Sequence, residues 1–479
     1  MRLWSLSEDV LVEAAPEGDH LLAFTQWGEV RIDDVSPVVR ESLTRMSLGP
    51  VSLENLPMLR AAEQVTEVSR GPALEIEQWR RLLRVLELLG NCVVQSLGLD
   101  DEAGPLLSVA PVSRRARFLV APVLDVATPI RLSRFVSMRS GGGELLLESP
   151  LAQHRVVLHR PLAAWVAGAL CRPTTIADLS TLLKIAVPVV ADIVGYLVAC
   201  GMVLTGSPDP AAGFAEDADP DLIQWSHHDL LFHAHSRLGR HNGGAVFPYL
   251  DQLPAAPVVK PPPPGRRFLL RRPDLSALAA SDPTLTTVIE TGRRLDYTEA
   301  PLHSGQLGEL LFRVARIRST GLASSTVGAS YMVSDRPYPS TSDLYELELY
   351  VSLDRCAGLP RGIFHYDPEG HAITLINESD QVLAELLDSA KVAVGRTLRP
   401  AALITVTSRI ARLSWMYSGI AYATTLKHVG VLQHALLVVA TAMGIVACPL
   451  ALNDGVTTDD ALRLDWPAEV SVAEFIIGA

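Results

Sequence analysis

Cysteine is scarce. Cys92, Cys171, Cys200, Cys356 and Cys448 stand singly in a chain of 479 residues, with no Cys-x-x-Cys pair. This pattern argues against a zinc site or a disulfide framework and suits a reducing cytoplasm. Basic charge is also short: 41 Lys and Arg face 53 Asp and Glu, for a formal net charge of -12. Phosphate binding needs clustered Lys and Arg, so no nucleic-acid partner is expected. The first residues lack a basic start followed by an apolar run, and Glu8 and Asp9 interrupt them, so no secretory signal is expected. The longest uncharged stretch is Val429 to Asn453. It is long enough to span a bilayer. Gln433, His434 and the Cys448-Pro449 break instead favour a buried helix followed by a strand, and no membrane association is expected.

What remains is a mixed globular composition with 48% apolar residues. The length calls for two or three domains. Leu21 to Ile32 alternates like a strand and leads through Val35-Ser36-Pro37 into a helical stretch. Trp79 to Leu89 is strongly apolar and precedes Gly90-Asn91-Cys92-Val93-Val94. A second stretch repeats the theme. Gln153 to His159 alternates, Pro161 opens a helix, and Val187, Val190, Ile193, Val194 and Leu197 share one helical face. Gly201 closes that helix before Met202-Val203-Leu204. Helices followed by a β-wing suggest two winged-helix-like modules, 1–112 and 113–208. The candidate recognition helix Pro188 to Ala199 carries Asp192 and neither Lys nor Arg, which disfavours base readout. A peptide clamp that adds an extended peptide to a strand edge is the expected role.

Residues 209–265 are expected to connect, ending in a proline-rich spacer from Leu253 to Gly265. A packed α+β domain is expected over 266–479. Within Trp225 to His241 lie five histidines, His227, His228, His233, His235 and His241. Their spacing does not put ligands on one helical face, so no metal site is expected. Arg293 and Arg294 precede the helix Gln306 to Ala315; such a pair can hold a phosphate through bidentate geometry. A Pro/Ser loop from Arg336 leads into a strand, Leu344 to Leu353. The Asp367-Pro368-Glu369-Gly370 turn makes a hairpin. Trp415-Met416-Tyr417 and Ile420-Ala421-Tyr422 precede a long helix, Ala423 to Met443, and a strand, Ile445 to Ala447.

Taken in order, Asp229 to His241, Arg336 to Tyr350, Gly362 to His371 and Ser414 to Cys448 resemble the motifs of SagB-type dehydrogenases, flavin enzymes of the nitroreductase superfamily. The resemblance covers roughly residues 225–479. It implies a nitroreductase-like fold preceded by peptide-clamp modules, with FMN at a dimer interface built from both chains. The implied chemistry converts a thiazoline or oxazoline of a ribosomally made precursor peptide into an azole. A base takes a proton from carbon, flavin N5 accepts a hydride, and oxygen reoxidises the flavin. The resemblance further implies contacts to FMN from Arg293, Arg294, Pro339, Ser340, Thr341, Ser342, Gln433, Gly444, Ile445, Ala447 and Cys448. Implied partners are the precursor peptide, a second copy or a related dehydrogenase, and a cyclodehydratase.

Four positions depart from the family pattern. Its Lys-Tyr pair reads Met416-Tyr417, and Met takes no proton, which leaves Tyr417 as the acid/base candidate. Its arginine/serine phosphate motif reads Gly292-Arg293-Arg294-Leu295-Asp296. Paired glycines of its flavin loop read Thr341-Ser342. The glycine-rich stretch after Cys448 reads Leu450-Ala451-Leu452-Asn453-Asp454. Two expectations therefore stand together: an active FMN-dependent dehydrogenase, and a flavin-poor homologue that binds peptide or completes a heterodimer.

Overall fold

A computed structural model describes the chain except residues 16–18, 54–55, 57–58, 60–72, 100–103, 121–123, 208, 210–212, 238, 241–245, 292–297, 452–453 and 479. Two compact units make it up, Met1–Gly243 and Gly244–Ala479.

In the first unit a six-stranded antiparallel sheet runs in the order Arg2–Leu6, Val93–Gly98, Pro105–Pro111, His154–Leu158, Glu144–Glu148, Ser137–Gly141. Strands from both sides of the 112/113 boundary thus share one sheet. Leu21 to Ile32 is not one strand. Gly28, at φ 118, sits in a turn that folds it into a hairpin, Leu21–Thr25 with Gly28–Ile32, and Leu11–Ala14 adds a third strand. The alternation of both arms survives the turn, so periodicity alone hides it. Helices Pro161–Ala169, Ile176–Leu183 and Val187–Ala199 pack in succession. The last buries Val190, Ile193, Val194 and Leu197. Val203–Thr205 then pairs with Ile130–Leu132. Helix His227–His235 ends the described secondary structure of this unit. Its histidines meet aromatic and cationic neighbours: His227 meets His228 edge to face, His233 packs at a tilt against Trp225, and Arg237 lies 2.9 Å from His233 Nε2.

The second unit is built on a seven-stranded antiparallel sheet. Its order is Arg267–Leu269, Ala372–Asn377, Gly362–Asp367, Leu347–Leu353, Ala402–Arg409, Glu469–Gly478, Val446–Pro449. Helices cover both faces, so its central strands are buried throughout. Leu347, Leu349, Val351 and Leu353 share one core with helices Ser304–Ala315 and Ala421–Ala442. Tyr350 joins the opposite core with helices Asp380–Ala393 and Gly455–Leu462. Helix Ser304–Ala315 buries Leu307, Leu310, Leu311 and Val314, the i, i+3, i+4, i+7 stripe of an amphipathic helix. The long helix starts two residues earlier than its apolar run suggests. Val429, Leu432, Leu436 and Ala440 line its buried face, while Leu426 and Val431 stay exposed. It is long and apolar enough to cross a membrane by length and composition; one face is core.

The proline-rich stretch is fastened to this unit. Ala256 and Pro257 carbonyls accept hydrogen bonds from Arg412 and Arg409, and Leu253 accepts from the Trp415 indole at 2.8 Å. Lys260 reaches the Tyr350 hydroxyl at 2.6 Å and pairs with Glu469.

Candidate active site

The loop Pro339–Ser342 and Tyr417 come together. The Ser342 hydroxyl lies 2.7 Å from the Tyr417 hydroxyl. The loop is shaped by backbone strain. Ser342, Asp343 and Tyr345 all lie at positive φ, 53°, 53° and 45°, a region that costs non-glycine residues about 1–3 kcal/mol each. Leu344 is consequently drawn out of the strand, which starts at Leu347 rather than at Leu344. Arg412 holds the Leu344 carbonyl, and Ser340 accepts from the Tyr345 amide at 3.2 Å. Ser342 thus keeps the left-handed shape that glycine would adopt freely, so its side chain does not abolish the turn. Ser342→Gly should relieve strain and raise the thermal midpoint of this unit by about 1–4 °C. A scanning-calorimetry midpoint that falls instead would remove the strained loop from the account.

A residue pair absent from the expected set anchors this loop. His428 Nε2 accepts the Thr341 amide N–H at 2.9 Å, which leaves Nδ1 as its donor. Nδ1 donates to Glu346 at 2.8 Å, and both side chains are buried. The Thr341 hydroxyl also lies 2.9 Å from Nε2. The signal in the sequence is chemical: Glu346 precedes and Glu348 lies within a largely apolar strand that the structure buries throughout, and buried carboxylates need partners.

Gly444, Ile445 and Ala447 sit elsewhere. They line a cavity of about 140 Å³ with Val288, Thr291 and Thr441. His428 and Thr441 lie on one helix thirteen residues apart, roughly 20 Å at 1.5 Å per residue. The residue that anchors the Pro339–Ser342 loop and the residue that lines this cavity thus stand well apart along that helix. Gln433, between them, donates to the Glu474 carbonyl at 3.5 Å. Cys448 is buried, with its thiol 3.3 Å from the Pro449 carbonyl. All five cysteines are free. Arg293 and Arg294 lie outside the described residues; Thr291, two positions before Arg293, lines the Gly444 cavity.

The neighbouring strands Leu347–Leu353, Gly362–Asp367 and Ala402–Arg409 carry a second buried polar set. Glu348 meets His365 Nε2 at 3.4 Å and Arg409 Nε at 3.5 Å. Burial pushes its carboxyl upward, but the His365 hydrogen bond and the Arg409 and Arg336 charges outweigh that, holding it below the ordinary carboxylate value.

The residues fit FMN as part of a site. Gly444, at φ 71, has open space where a side chain would stand, and threonine hydroxyls offer neutral donors. A cavity of about 140 Å³ falls below the ~300 Å³ at which small-molecule sites begin, so a flavin needs further walls from outside this set.

Two segments of the chain are similar to known families. Residues 294–479 match the nitroreductase family, and residues 130–242 match the cyanobactin oxidase ThcOx. A protein of Methanocaldococcus jannaschii named as a nitroreductase is 24% identical over 185 residues, 38% of this chain and 82% of the relative. A nitroreductase-type structure from Anabaena variabilis is 21% identical with a TM-score of 0.34. That likeness covers 47% of this chain and 40% of the other, less than half its length. A chain of the E. coli microcin synthetase McbBCD complex with truncated pro-MccB17 is 15% identical with a TM-score of 0.33, covering 55% of this chain and 94% of that one. The chain thus carries a segment of the cyanobactin-oxidase kind followed by a C-terminal domain of the nitroreductase family, in keeping with the resemblance to SagB-type dehydrogenases.

Proposed function

We propose that this protein is an FMN-dependent oxidase of ribosomally made peptides that converts a thiazoline or oxazoline ring to the azole. The observation that carries the reading is the pairing, in one chain, of the 130–242 and 294–479 matches. Bound FMN would supply the hydride acceptor. Arg293 and Arg294 would take its phosphate, and Gly444, Ile445 and Ala447 would form one wall of its site. His428, which holds the Pro339–Ser342 loop, and Thr441, which lines the cavity of that wall, stand thirteen residues apart on one helix, roughly 20 Å along its axis; this separation supports a site completed by a second copy or a related dehydrogenase. The apolar residues Leu426 and Val431, exposed on the long helix, support the same assembly.

Tyr417 is the acid/base candidate. Its hydroxyl shares a hydrogen bond with Ser342, which orients it, while Met416 beside it is buried and carries no proton. The exposed strand edges Leu11–Ala14 and Ser137–Gly141 support leader-peptide capture by strand addition. The reading also makes a cyclodehydratase the source of the azoline and places the protein in the cytoplasm. Tyr417→Phe should lower azoline oxidation about 100-fold or more, in the range of a lost general acid or base, with flavin content unchanged. Mass spectrometry of a thiazoline peptide reads it as a loss of two hydrogens; undiminished turnover would take Tyr417 out of the mechanism. The buried Met416 favours a second reading, a homologue that binds peptide and completes a heterodimer without turning over.

A further inference from the structure

We propose that the cavity beside Tyr417 binds one uncharged, planar five-membered ring of the peptide, neighbouring the ring being oxidised. The inference rests on the peptide-oxidase reading and names the chemistry of its substrate. The cavity measures about 270 Å³ and is lined by Tyr249, Tyr417 and Tyr422, with Ile410, Leu413 and Thr425 among its other walls. Sites for whole small ligands begin near ~300 Å³, so this one has room for a single ring and its attachments.

Its walls select the ring's character. No charged side chain lines it among the described residues. A charged guest would lose its water without gaining a counter-charge. Tyr249 and Tyr422 remain 41% and 45% exposed and line the cavity with the candidate catalytic residue. Aromatic faces pair with planar rings edge-on or offset. Tyrosine and threonine hydroxyls donate to a ring nitrogen, which an azole offers and a hydrocarbon ring does not. A ring already made would settle here and present its neighbour to Tyr417. Peptides that carry an azole beside the reacting ring should therefore bind about tenfold more tightly than those that do not.

The test uses the full-length protein and 2-methylthiazole-4-carboxamide as probe, titrated by saturation-transfer NMR, with the corresponding carboxylate as the charged control. Saturable binding of the amide is expected, at least fivefold tighter than the carboxylate. It should weaken about tenfold or more in Tyr249→Ala/Tyr422→Ala, which alters only half-exposed side chains. Ser418→Trp, which fills the cavity, should abolish it. No saturable binding, equal binding of amide and carboxylate, or binding unchanged in both variants overturns the proposal. Absorbance of the same samples separates the two readings. A colourless protein that binds the amide keeps the pocket and loses the oxidase; a yellow protein that ignores the amide keeps the oxidase and loses the pocket.

Discussion

Replacing Arg293 and Arg294 together by alanine is expected to weaken FMN binding on the order of ten- to a thousand-fold. A charge-assisted hydrogen bond to phosphate contributes about 1.5–3 kcal/mol, and every 1.4 kcal/mol is about tenfold in affinity. The expectation draws on the residues that precede the pair. Val288 and Thr291, shortly before the pair in sequence, line the cavity with Gly444, Ile445 and Ala447, and helix Ser304–Ala315 comes later in the chain. Lysine at both positions should give an intermediate affinity, because it keeps the charge and loses the planar fork. Equilibrium titration of the flavin fluorescence distinguishes these cases. Equal affinity for wild type and the double alanine variant would place the phosphate elsewhere.

The second large effect is on stability. Glu348→Ala should cost about 3–5 kcal/mol, because removing one partner of a buried ion pair strands the other. Glu348, His365 and Arg336 are buried, and Arg336 already has Nε and Nη2 without hydrogen-bond partners. At about 2–4 °C per kcal/mol the midpoint of the second unit should fall roughly 6–20 °C. The pH dependence has a definite sign. The folded-state value of Glu348 lies below the ordinary 4.5. Its contribution is therefore complete above 4.5 and is lost as pH falls through the folded-state value. The gap between wild type and Glu348→Gln should be largest near neutrality and close under acid. A gap that widens as pH drops would contradict the buried-pair account.

Much of the second unit is legible in its sequence because its elements carry their own periodicity. The Ser304–Ala315 stripe and the apolar run of Ala421–Ala442 each name a helix with a core-facing side. The Asp367 turn is equally local: Asp367 Oδ1 accepts from the Glu369 and Gly370 amides, each at 3.0 Å. Partnership is what stays hidden. The strand Arg267–Leu269 pairs with Ala372–Asn377 about a hundred residues away, and nothing in three residues announces it. His428 sits in an apolar helical run and shows its role only once Glu346 and Thr341 are brought to it. The fastening of the proline-rich stretch escapes composition for the same reason, since its backbone carbonyls are what Arg409 and Arg412 seek. Departures from the family pattern at Thr341-Ser342 also read more severely in sequence than in structure, because Ser342 accepts the left-handed turn.

The oxidation proposed for this protein depends on a flavin in its C-terminal domain. The direct measurement is the visible absorbance of the purified full-length protein, followed by the mass of the ligand released on denaturation. A yellow protein is expected, with an oxidised-flavin band and a released ligand of the mass of FMN, close to one per chain. A colourless protein that takes up no flavin after incubation with excess FMN would contradict it and leave the peptide-binding homologue as the reading that stands.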